Sequence, residues 1–164
     1  MRQYIGTKRI NAEPMTRAAY NLFRGWELPK DENGEDAGYL VEYIDGGAAN
    51  TATYKGYVSW SPKDVFERAY KPVDGMTFGM ALEALKAGER VARAGWNGKG
   101  MFLYYVPAAA YPAQRNKFGT MVGVFPDDMV PYGAYIAMKT AQDNVVPWLA
   151  SQTDMLADDW AVVF

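Results

Sequence analysis

Neither cysteine nor histidine occurs in the 164 residues. Without cysteine there is no disulfide framework and no thiolate zinc site. Without histidine the side chain that titrates nearest neutral pH is missing, and serine and cysteine hydrolase triads lose their usual base. An excess of one charge is also lacking: 17 basic residues stand against 19 acidic ones, a formal net charge of −2. That argues against a general nucleic-acid binder, which carries a marked basic excess. It leaves room for a small anionic ligand, which needs only local positive charge and backbone N–H groups. No apolar run approaches the ~18 residues of a membrane span, and the opening MRQYIGTKRINAEP lacks the hydrophobic core of a secretory signal. The expected setting is cytoplasmic.

Hydrophobic residues make up 49% of the chain and charged residues 22%, a balance that folds. The pattern predicts two modules joined near YKPVDGMTF, residues 1–73 and 76–164. In the first, QYIGTKRI reads as a strand. MTRAAYNLFRG reads as a helix capped by Thr16, with Ala19, Leu22 and Phe23 on one side and Gly25 as its stop. GWELPKDENGEDAG is a solvated loop, YLVEYIDGG a strand, and YVSWSPKDVFERAY a strand followed by a helix with Ser61 as cap and Pro62 at its first position. Trp26 and Trp60 are read as structural.

In the second module, Thr77 caps a helix running to about Ala87, with Met80, Ala81, Ala84 and Leu85 as its buried stripe and Gly88 as its end. RVARAGW and MFLYYVPA form a hairpin around WNGKG, where Asn97-Gly98 is the strongest turn signal. The proline- and glycine-spaced stretch AAAYPAQRNKFGTMVGVFPDDMVPYG is expected to be mostly loop. AYIAMKT and VVPWLA form a second hairpin around AQDN, SQTDML starts a short helix, and WAVVF closes as a strand. Short antiparallel strands with few helices make the fold class α+β.

The densest cluster of chemistry-bearing residues is TDMLADDW. Asp154 lies one turn before Asp158, so the two could pair as acid and base. Such a pair needs one pKa raised, and a metal needs convergent ligands. A simpler reading is a helix start: Ser151, three residues before Asp154, places an acid where the helix dipole favours it. Asp158 and Asp159 then fall in a solvated turn. Tryptophan is usually core, but Trp96 and Trp148 each sit where a strand hands over to polar turn residues. An aromatic platform beside such groups suits a base or nucleotide. Asn97, Gln152 and Thr153 are candidates to read its polar edges, and Lys99 and Arg115 to meet phosphate. GKG within WNGKG is too short for a phosphate-binding loop.

MTFGMALEALKAGERVARAGWNGKGMFLYYV, followed by YIAMKTAQDNVVPWLASQTDMLADDWAVV, resembles the phage Thoeris anti-defence 2 family, from about Met76 to the C-terminus. The resemblance implies a protein that is not an enzyme and needs no cofactor or metal. It implies binding and sequestration of the cyclic nucleotide signal of bacterial Thoeris immunity, a glycocyclic ADP-ribose, with cyclic di- and trinucleotides at separate sites. It also implies a homo-oligomer, commonly a tetramer, in the cytoplasm of the infected host, binding neither DNA, RNA nor membrane. Carried residue by residue, the ligand-binding signatures fall on Trp96, Asn97, Trp148, Ser151, Gln152, Thr153 and Asp154, and more loosely on Arg115. Residues 1–73 look similar to phage extensions and small phage proteins of unknown role. Two rivals stand beside this expectation: a hydrolase of such signals using Asp154 and Asp158, and a phage protein-binding or structural module.

Overall fold

The computed structural model describes residues 1–119, 123 and 125–164. The chain divides into two compact units, Met1–Lys71 and Pro72–Phe164. Both mix helices with antiparallel sheet, so the α+β class expected from the sequence is the class observed.

The N-terminal unit runs β1 (Ile10–Pro14), α1 (Arg17–Arg24), β2 (Gly38–Tyr43), β3 (Tyr57–Pro62) and α2 (Lys63–Ala69), with the strands in the order β1-β2-β3. Alternation along the strands sends Leu40, Val58 and Trp60 to one face, where Tyr20 of α1 completes a small core. Tyr39 goes to the other face and stacks on Phe66 of α2 at 4.1 Å. Thr16 caps α1 by accepting from the Ala19 N–H, and Gly25 ends it in the left-handed region at φ 68°. Three expectations are corrected. The first strand begins at Ile10 rather than at QYIGTKRI. Leu22 is exposed while Tyr20 and Asn21 are buried, because the sheet lies one residue further round α1. Pro62, not Ser61, is the N-cap of α2, and the Ser61 hydroxyl makes no capping bond.

The buried Glu42 of β2 orders the loop that follows. Its carboxylate accepts the Asn11 side-chain amide at 2.9 Å and the Lys55 and Gly56 N–H groups at 3.0 Å, and these bonds hold its pKa below the usual carboxylate range. A Cβ on Gly56 would overlap the Tyr43 carbonyl. Gly56→Ala is therefore expected to lower stability by about 1–3 kcal/mol and to speed amide exchange in the loop before β3. Unchanged exchange at Lys55 and Gly56 would contradict it.

In the C-terminal unit, α3 (Phe78–Lys86) packs on a five-stranded sheet. Its strands are β4 (Arg90–Arg93), β5 (Phe102–Val106), β8 (Tyr135–Lys139), β9 (Val145–Pro147) and β10 (Trp160–Val163), ordered β10-β4-β5-β8-β9. Thr77 caps α3, and Ala81 and Leu85 pack into a core with Val91, Leu103, Trp160 and Val162. Residues before the helix extend the sheet: Met76 and Trp160 exchange backbone bonds of 2.7 and 3.2 Å. The first hairpin forms as expected, but its connection is longer than the Asn97-Gly98 signal implies, with Gly100 at φ 69°. The stretch expected to be mostly loop carries a second small sheet, β6 (Ala109–Pro112) with β7 (Met129–Tyr132), because prolines at strand ends and edges do not prevent pairing. The TMV and second Val of TMVGV in this stretch lie outside the described residues. The helix expected at SQTDML is α4, Gln152–Met155.

Candidate functional site

Strand β10 begins with Trp160, which is fully buried and forms the centre of an aromatic cluster. Trp96 meets its ring edge-to-face at a centroid distance of 5.5 Å and Trp148 does so at 6.0 Å. Phe78, at the start of α3, lies 5.5 Å from Trp160 and 6.0 Å from Trp148. Trp96 and Trp148 are 52 residues apart in sequence, yet the sheet order brings both to one core residue, each half-buried. The Trp160 indole N–H donates to the Asp154 carbonyl at 3.0 Å, which ties the aromatic centre to α4.

The helix start at Ser151 is a full capping box. The Ser151 hydroxyl accepts from the Asp154 N–H at 3.0 Å, and Asp154 Oδ2 accepts from the Ser151 N–H and hydroxyl at 3.3 and 2.7 Å. Asp154 Oδ1 accepts from Arg93 at 2.9 Å and from the Trp96 indole N–H at 3.3 Å. Four donors saturate the carboxylate. Burial pushes its pKa up, but the bonds from Ser151, Arg93 and Trp96 outweigh that and hold it below the usual range.

Asp159 is not the solvated turn residue expected from the sequence. Its Oδ1 accepts from Arg93 Nε at 2.7 Å and its Oδ2 from the Gly95 N–H at 2.8 Å. The Arg93 bond, opposed in part by burial, holds its pKa low as well. Neither Asp154 nor Asp159 is thus the raised-pKa acid that an acid–base pair requires. Asp158 remains exposed. Among the described residues no three carboxylates converge as a metal ion would need.

Of the residues singled out from sequence, the structure gathers Trp96, Trp148, Ser151 and Asp154 around Trp160, with Asn97, Gln152 and Thr153 exposed at the adjoining turns. Arg115 donates to the Gly119 carbonyl at 2.8 Å within its own loop. Sequence reasoning missed Arg93, Asp159, Phe78 and Trp160. One signal was available for Arg93: it shares the core-facing register of Val91, and an arginine there requires carboxylate partners. A concavity of about 470 Å³ in the N-terminal unit, lined by Asp36, Trp60, Lys63, Asp64 and Glu67, is no rival nucleotide site. Three carboxylates there oppose one lysine and repel phosphate.

Fold and site together define a small α+β domain whose polar helix start and strand turn border an aromatic cluster. The chain belongs to the Thoeris anti-defense 2-like domain family, whose sequence profile matches residues 76–163. The Thoeris anti-defense 2 protein of Bacillus phage SP01 is 44% identical over 88 residues, which cover 54% of this chain and 94% of that protein. The N-terminal unit lies outside the family match. No helix among the described residues is long and apolar enough to cross a membrane.

Proposed function

We propose that this protein counters bacterial Thoeris immunity by binding its cyclic nucleotide signal, a glycocyclic ADP-ribose, and holding it without cleavage. The observation that carries this reading is the convergence of Trp96, Trp148 and the Ser151–Asp154 turn on Trp160 in a family named for Thoeris anti-defence. The half-buried indoles offer faces for a base. The exposed Asn97, Gln152 and Thr153 offer donors and acceptors for its edges and the ribose hydroxyls, and Lys99 and Arg115 offer charge for phosphate. Asp154 serves the site as scaffold, since its own acceptors are already filled. Stacking and charge-assisted bonds of about 1–3 kcal/mol each, less ordering costs, are enough for nanomolar binding. Related cyclic di- and trinucleotides are expected at separate sites.

The protein works as a homo-oligomer in this proposal, with a tetramer favoured, in the cytoplasm of the infected host. Supporting this, one face of the sheet carries the half-buried Ala92, Phe102, Tyr104, Val106 and Ala161, together with Arg90 and Lys139. Apolar side chains on a sheet face are stable when another surface covers them.

The test mixes the protein with glycocyclic ADP-ribose, measures binding by calorimetry, then heat-denatures the complex and analyses the nucleotide by mass spectrometry. Stoichiometric binding and full recovery of intact ligand are expected. A cleaved product would sink the sequestration reading in favour of a hydrolase. Failure to bind any cyclic nucleotide would favour a phage protein-binding or structural module.

A further inference from the structure

Arg93 links the two segments of the candidate site. It ends β4 with its side chain on the core face, only 16% exposed, and its fork reaches two carboxylates from the far end of the chain. Nε donates to Asp159 at 2.7 Å, and one terminal nitrogen donates to Asp154 at 2.9 Å and to the Thr153 carbonyl at 3.4 Å. Both carboxylates also hold the residues that follow Arg93: Asp159 accepts the Gly95 N–H and Asp154 accepts the Trp96 indole N–H. Arg93 is thereby tied through one acid to the strand end at 95–96 and through the other to the helix start at 151–154. One positive charge faces two negative ones, so the cluster carries a net negative charge and does not attract a phosphate. Its Nε and one terminal nitrogen are engaged by protein acceptors.

We propose that Arg93 is the positioning residue of the ligand site, holding the Trp96 indole and the Ser151–Asp154 turn in one relative geometry through the Asp154 carboxylate they share. A guanidinium suits this role because its rigid fork reaches two acceptors at once, which an ammonium does not reproduce. The inference rests on the nucleotide-binding reading above, but part of its test does not need the ligand.

The experiment compares full-length wild type with Arg93→Gln and Arg93→Lys. It records the Trp96 indole N–H resonance of the ligand-free protein across pH, assigned with Trp96→Phe, and the affinity for glycocyclic ADP-ribose. In wild type any titration of the resonance is expected below the usual carboxylate value, because the Asp154 pKa is lowered. In Arg93→Gln it should move and titrate nearer that value, and affinity should fall at least 10-fold, with Arg93→Lys recovering part of the loss. A folded Arg93→Gln with an unmoved resonance or unchanged affinity overturns the proposal. If Arg93→Gln does not fold, Arg93→Lys carries the test, since it keeps the charge but loses the fork; a resonance or an affinity unchanged from wild type then overturns the proposal. If wild type binds no such nucleotide, the sequestration reading falls on that result. The ligand-free resonance then decides separately whether Arg93 sets the geometry of Trp96.

Discussion

Trp160→Ala is expected to unfold the C-terminal unit or to leave it barely stable. The indole is wholly buried, and removing a buried tryptophan costs about 3–5 kcal/mol in lost transfer energy and cavity formation. Two further losses accompany it. The Asp154 carbonyl loses its indole donor, and Phe78, Trp96 and Trp148 lose the ring against which all three pack. Domains of this size have total stabilities of about 5–15 kcal/mol, so the change removes a large share. Urea unfolding followed by near-ultraviolet circular dichroism reads it directly, since the clustered tryptophans dominate that signal. Trp160→Phe keeps a ring in place and drops mainly the N–H bond, so it should cost much less. A loss under about 1 kcal/mol for Trp160→Ala would mean that the cluster is not organised around this residue.

The second large effect is expected at Asp154. Asp154→Ala removes a helix cap, worth about 1 kcal/mol, and also strips Arg93 of one of its two carboxylates in a mostly buried site. A stranded buried charge costs about 3–5 kcal/mol; the remaining bond to Asp159 and partial exposure reduce that here, for a combined loss of about 2–3 kcal/mol. Its pH dependence has a definite sign. The folded-state pKa of Asp154 is lowered, so its contribution is fully present above the unfolded carboxylate value of about 3.9. It is lost as pH falls through the folded value. The stability gap between wild type and Asp154→Ala should therefore be widest near neutrality and narrow below about pH 4. Asp159, also lowered, adds acid sensitivity of the same sign to both proteins. A gap that stays constant down to the acid transition would show that the Asp154 charge contributes nothing.

Local signals were legible where local chemistry decides the structure. Thr16, Thr77 and Ser151 each bond the N–H three residues on, and Gly25 takes the left-handed conformation, because capping depends on a few consecutive residues. The strands of the two hairpins were legible from their alternation and the turn residues between them. Where distant segments decide, the reading failed. Leu22 looked like the inner face of α1 because a helical stripe does not reveal where the sheet will lie. Asp159 looked solvated because its partner Arg93 is 66 residues away. Trp160 looked like an ordinary strand residue, although it organises the aromatic cluster.

By itself, then, the sequence determined the α+β class, the helix starts and the two segments that make the candidate site. It also determined the absence of histidine and cysteine chemistry. Only the tertiary structure decided what the aspartates do. The pairing of β4 with β10 brings Arg93 beside Asp159 and the start of α4, and the guanidinium held there bonds both acids and helps lower the pKa of each. A carboxylate's role follows from its desolvation and its partners, and neither is local in sequence.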